Sequence, residues 1–158
     1  MSNNKDKLSW CLESEKRLKK IVPDIKISKE HIEKAKHNLK AADYNIQGNF
    51  DDWAVSQSYY AMYHSLLAIL FKKGFESKNH DCTLTTISYL IENGDIKLSK
   101  EDLSFIRTTE QMTNKDAKSL REEFQYGTKT RVNKELLSEL LEKSKAIVEK
   151  VEIILNEM

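Results

Sequence analysis

Residues 51–74 read DDWAVSQSYYAMYHSLLAILFKKG, and this stretch decides the fold. Ala54, Ser58, Ala61, Ser65 and Ala68 recur at helical spacing as a ridge of small side chains. Tyr60, Leu67, Leu70 and Phe71 cover other faces. A helix apolar on most of its sides belongs at the centre of a bundle. The small ridge lets another helix approach closely, either within the chain or across a dimer axis. Asp51 is the expected N-cap and Gly74 the expected C-terminal stop.

Outward from this helix the pattern stays helical. Ahead of it, Ile32, Ala35, Leu39, Ala42 and Ile46 share one face of a helix that opens at Ser28 and ends at Gly48-Asn49. Earlier still, Leu8, Leu12 and Leu18 predict an amphipathic stretch over about 5–20, stopped by Pro23. Behind it, Leu84, Ile87, Leu90 and Ile91 predict a helix over 81–92 with Asp81 at its head, ended by Asn93-Gly94. Ser99 and Asp102 then form a capping-box-like start. From there Ile106, Ala117, Leu120 and Phe124 hold a common face across a weak middle, TTEQMTNKD. Asn133 caps a last helix with Leu137, Leu141, Val148, Val151 and Leu155. The expected fold is all-α: one domain over 1–158, an antiparallel up-and-down bundle of four to five main helices, with 1–23 as an N-terminal helical extension.

Composition excludes several classes. Four Gly and one Pro are too few for a turn-rich sheet protein. No apolar run reaches bilayer length, and the first residues lack a secretory signal pattern, so a cytoplasmic protein is expected. Cys11 and Cys82 do not make a disulfide framework and nothing beside them suggests zinc, so both are read as reduced thiols, with no metal or cofactor. Net charge is +1, which provides no global field for nucleic acid. Residues 1–40 do hold eleven Lys/Arg against six Asp/Glu, and residues 115–134 hold six against three. Ordinary solvated helix faces account for such local excesses.

Three pieces carry polar chemistry. In SYYAMYHSLL, residues 58–67, Tyr59, Tyr60, Tyr63 and His64 crowd polar-tipped rings into a short span, which suits core or dimer-interface packing as well as a site. In GFESKNHDCTL, residues 74–84, His80 precedes a helix, where it either orders the loop or acts as an acid–base group near neutral pH. In SLREEFQYG, residues 119–127, Arg121 and Tyr126 lie five apart near one helix end, as a phosphate-binding guanidinium and a hydroxyl or stacking ring. A surface Arg–Glu pair with a packing Tyr reads that third piece equally well.

The order YYAMYH, a Gly-containing loop with His80, then Arg121-x-x-x-Gln125-Tyr126 resembles the HEPN family, especially small prokaryotic members that accompany minimal nucleotidyltransferases. The resemblance spans nearly the whole chain. It implies a bundle that forms homodimers through its central helices and works in RNA cleavage, toxin–antitoxin control or nucleotide binding. In catalytic members an Arg is followed four to six residues later by a His, the pair handling the scissile phosphate and the 2′-hydroxyl. Here Arg121 matches that Arg, but the fifth position after it is Tyr126, and His31, His37, His64 and His80 all precede residue 81. A tyrosine, with an ordinary pKa of about 10, is a poor base near neutral pH. The expected role is therefore a nucleotide- or RNA-associated partner of a nucleotidyltransferase, in which Arg121 and Tyr126 form either a phosphate or nucleotide contact or the surface that the partner recognises, with Tyr126 itself a candidate for modification. The alternative is a divergent metal-independent endoribonuclease, a toxin in which His80 or His64 supplies the missing acid–base group. A third reading is a dimeric scaffold whose rings only pack.

Overall fold

The computed structural model describes residues 2–106, 127–128 and 130–158. Six helices are described: α1 (Ser2–Leu12), α2 (Ile25–Gln47), α3 (Asp51–Lys73), α4 (His80–Glu92), α5 (Lys100–Ile106) and α6 (Lys134–Glu157). A two-stranded antiparallel ribbon, β1 (Leu18–Lys20) with β2 (Phe75–Ser77), completes them. The all-α bundle is as expected; the helix expected over 99–124 is described only as far as Ile106.

α3 is the central element. Ala54, Val55, Ala61, Met62, Leu66, Ala68, Ile69 and Leu70 on it are fully buried, and α2 and α6 pack along it. The small ridge serves the interior of this chain. Ala61 meets Ala35 of α2 and Val148 of α6, and the Ser28 hydroxyl donates to the Ala68 carbonyl at 2.7 Å. Backbones approach that closely only where side chains are small.

Several local expectations need correcting. α1 stops at Leu12 rather than Lys20, and Leu18, read as the same helical face, is instead buried in β1. Hydrophobic spacing alone could not distinguish a strand of three residues from helix. α2 starts at Ile25, capped by the Asp24 carboxylate accepting from the Ile27 N–H, so Ser28 lies inside it. Asn79 caps α4 rather than Asp81. Asp51 is the first helical residue of α3, and its carboxylate turns away to Val132, Arg131 and Lys134 at the entry to α6. Cys11 and Cys82, expected as separate thiols, are joined as a disulfide with Cα atoms 5.8 Å apart. The Ser99–Asp102 box and the Asn133 cap form as expected.

Gly74 ends α3 in the left-handed region, with φ at 91°. A Cβ there would sit 2.9 Å from the Ile21 carbonyl oxygen, and the Gly74 carbonyl accepts from the Ile21 N–H at 2.9 Å. Gly74→Ala should therefore destabilise the chain by about 1.5 kcal/mol, from left-handed strain together with crowding against the ribbon. A urea midpoint equal to that of the unaltered chain would refute this.

Candidate functional site: a tyrosine–histidine cluster at the head of α4

Tyr59 and Tyr63 stand four apart on α3, so their rings lie one above the other on the side facing α4. Opposite them, the Asn79 side chain accepts from the Cys82 N–H at 3.0 Å and fixes His80 as the first residue of α4. The segment before it is held by the ribbon, where the Lys78 N–H donates to the Arg17 carbonyl at 2.9 Å. His80 is thus placed by three elements at once.

The rings interlock. Tyr63 and His80 stack with centroids 4.9 Å apart and planes within 9°. The Tyr59 hydroxyl lies 2.9 Å from Nδ1 and 2.8 Å from Nε2 of His80, at the ring edge between the two nitrogens. Tyr63 reaches past His80 to the Thr83 hydroxyl at 3.0 Å, and Thr83 in turn donates to Ser77 at 2.7 Å. Burial raises the Tyr63 phenol above its ordinary value; Tyr60 and Asp81 add to this and the Thr83 bond opposes it. Tyr63 is therefore a protonated hydroxyl at neutral pH, a donor rather than a base. The cluster offers hydroxyl and imidazole groups around one helix head, an arrangement that can orient a polar ligand or pass a proton through His80.

His64 belongs elsewhere. It lies about 100° around α3 from Tyr63, the turn of one helical residue. Its Nδ1 is 3.0 Å from Nδ1 of His31 on α2, with the ring centroids 5.2 Å apart. That centroid distance matches two imidazoles meeting nitrogen to nitrogen, so one donates its proton and the other accepts. Burial, then His31 and Lys34, lowers His64 to about 4. Burial also lowers His31, against the pull of Glu30. An imidazole so held is neutral near pH 7 and a weak base. Of the four expected site residues, the structure places His80 in a polar cluster and His64 in a separate pair, while Arg121 and Tyr126 lie outside the described residues.

Sequence reasoning missed Asn79, Thr83 and Ser77. The signal for them was local: an Asn before His80 with Thr83 four residues after it is a helix start with a side-chain cap. Among the described residues no group of three or more His, Cys, Asp or Glu could hold a metal ion, and no helix is long and apolar enough to cross a membrane.

A central, largely buried helix sheathed by two long partners, with a ring-lined polar cluster where a shorter helix begins, defines a small all-α helical-bundle domain. The HEPN domain model matches residues 28–154, and the chain belongs to the HEPN family. A UPF0332 protein of Archaeoglobus fulgidus is similar to it, 30% identical over 125 residues, spanning 79% of this chain and 92% of the relative. The chain is thus a nucleotide- or RNA-associated module in the general sense of its family.

Proposed function

We propose that this chain is the HEPN component of a cytoplasmic toxin–antitoxin-like pair, a nucleotide- or RNA-binding homodimer engaged by a minimal nucleotidyltransferase through Arg121 and Tyr126. The observation that carries this reading is the engagement of the two histidines that could replace the missing motif His. His64 is tied nitrogen to nitrogen to His31 and lowered to about 4, and His80 is stacked on Tyr63 beside the Tyr59 hydroxyl. Near-neutral overall charge fits a partner-directed module better than one that grips RNA by its backbone alone. Trp53 and Tyr60, seven apart on α3 and 59% and 38% exposed, form the face on which a second copy would pack.

The test is incubation of the purified chain with a purified minimal nucleotidyltransferase and labelled nucleoside triphosphate. A labelled product that Tyr126→Phe and Arg121→Ala each lose, with helical content unchanged, is the expected outcome. Absence of both label and complex with a folded chain would overturn the reading.

The endoribonuclease reading keeps one observation in its favour: the Tyr59 hydroxyl and His80 imidazole are adjacent at the head of α4. It predicts cleavage of labelled RNA in the presence of chelator, abolished by His80→Ala and by Arg121→Ala, and unaffected by His64→Gln. Cleavage that survives His80→Ala would eliminate that mechanism.

A further inference from the structure

Residues 2–27 precede the span matched by the family model, yet they are fastened to the part of the chain that seats His80. α1 lies on α4, burying Leu8 and Cys11 with Cys82, Leu18 and the flanks of Leu12, Phe75 and Tyr89. The Asn4 amide donates to Ser88 and Glu92 at the far end of α4, at 3.0 and 2.7 Å. Beyond α1 the chain runs back beside the α3–α4 connection, with Ile21 bonded to Gly74 and Asp24 to Phe71. The one covalent link in this arrangement joins Cys11 at the end of α1 to Cys82, two residues after His80.

We propose that the Cys11–Cys82 disulfide is a thiol–disulfide control site, at which reduction by a dithiol releases α1 from α4 and loosens the seat of His80. The physical case rests on how little apolar burial holds α1 beside its polar ties, the Asn4 bonds to α4 and the Arg17 guanidinium donating to the Trp10 carbonyl at 3.1 and 2.6 Å. A helix of 11 residues is marginal in water by itself, and among its described side chains this one contributes Leu8, Cys11 and part of Leu12 to a small satellite cluster. The main core around α3 contains none of its residues. A covalent link closing a separation of 71 residues restricts the opened chain strongly, so its loss shifts the equilibrium of the segment it ties down. Both sulfurs are buried, so a thiolate reaches them when α1 frays, an opening that its short length permits.

The exchange balances. The dithiol gives up two electrons and two protons and becomes a disulfide, while the Cys11 and Cys82 sulfurs each gain one electron and one proton and become thiols. In the reduced chain the first turn of α4 keeps its Asn79 cap and His80 keeps its contacts with Tyr59 and Tyr63, but the covalent anchor of α4 to α1 is gone. Nothing in this depends on which activity the cluster serves, so the control site and the functional reading fail separately.

The experiment uses the full chain, oxidised with glutathione disulfide and then treated with dithiothreitol. Alkylation followed by mass measurement should find no free thiol before treatment and both cysteines labelled after it. Amide exchange over residues 2–12 should accelerate by about 10- to 100-fold on reduction, while α3 keeps its protection. The His80 imidazole proton resonance should move. Cys11→Ser with Cys82→Ser should show the reduced pattern with or without dithiothreitol. Free thiols in the oxidised sample overturn the proposal. So does reduction that leaves residues 2–12 and His80 unchanged, and so does reduction that strips protection from α3, since the bond would then be a staple for the whole fold.

Discussion

Asp51→Ala should lower the stability of the chain by about 3 kcal/mol, which for a chain of this size is a fall in melting temperature of roughly 6–12 °C. Asp51 is fully buried at the first turn of α3. Its carboxylate accepts from the Val132 N–H at 3.0 Å, from Lys134 at 3.2 Å and from Arg131 at 3.3 Å. These three donors surround the point where the chain enters α6, one of the two helices that sheathe α3. Burial pushes the carboxyl upward, but the Val132 N–H, Lys134 and Arg131 outweigh it and hold Asp51 below the usual carboxylate range. Removing it strands the Val132 N–H and leaves two cations without their partner. Both cations are half-exposed and rehydrate, which keeps the loss at the lower end of the range for a broken buried pair. Asp51→Asn keeps the shape and one acceptor and should lose about half as much. The sign with pH follows from the lowered value. The contribution is complete above the unfolded carboxyl pKa of about 4 and disappears as pH falls through the folded one. Thermal melts of the three proteins at neutral pH decide the matter. An Asp51→Ala chain melting within about 2 °C of the original would mean that this contact does not hold α6.

The helices were legible because each long one buries a continuous stripe, and stripes repeat with the period of the backbone. α3 announced itself most clearly, since its small ridge and large flanks both run the length of the element. What stayed hidden was short or depended on distant residues. β1 and β2 have three residues each, too few for any alternation to show, and their pairing brings Leu18 against Ser77 across more than fifty positions. The same distance conceals the Cys11–Cys82 bond, because two cysteines in a chain say nothing of whether folding brings them together. Asp51 looked like a cap because an acidic residue before an apolar run usually is one; its true partners lie on the far side of the chain. At the candidate site, His80 and its tyrosines were visible as residue types, but their union was not. It depends on Tyr59 and Tyr63 sharing a face with the head of α4. Nor could sequence separate His64 from His80, since neither spacing nor composition reveals that His31 stands opposite His64 on the neighbouring helix.

That histidine pair carries the other large expected effect, an acid sensitivity well above the range where carboxylates act. In the unfolded chain a histidine titrates at about 6.5. In the folded chain His64 titrates at about 4, because burial, His31 and Lys34 all disfavour its charge, and His31 is lowered in the same direction. Between those values the unfolded chain binds the extra proton and the folded chain refuses it, so stability falls as pH drops from about 6.5 toward 4 and is level above that window. For His64 alone the whole interval corresponds to about 3–4 kcal/mol, and water around these half-buried rings reduces the expected loss to on the order of 2 kcal/mol. Burial opposes the first charge, and the geometry explains why the pair resists a second. One proton lies between the two facing Nδ1 atoms, and a doubly protonated pair would set two N–H groups against each other at 3.0 Å. Asp51 and Asp102, both held below the usual carboxylate value, act only under about pH 4 and leave the window clear. Urea unfolding at several values from about pH 7 to about pH 4.5 should trace the decline. In the double variant His31→Gln, His64→Gln, two neutral amides can keep a bond between α2 and α3 while nothing there titrates, and most of the slope should vanish. A double variant as acid-sensitive as the original would move the origin of the slope away from this pair.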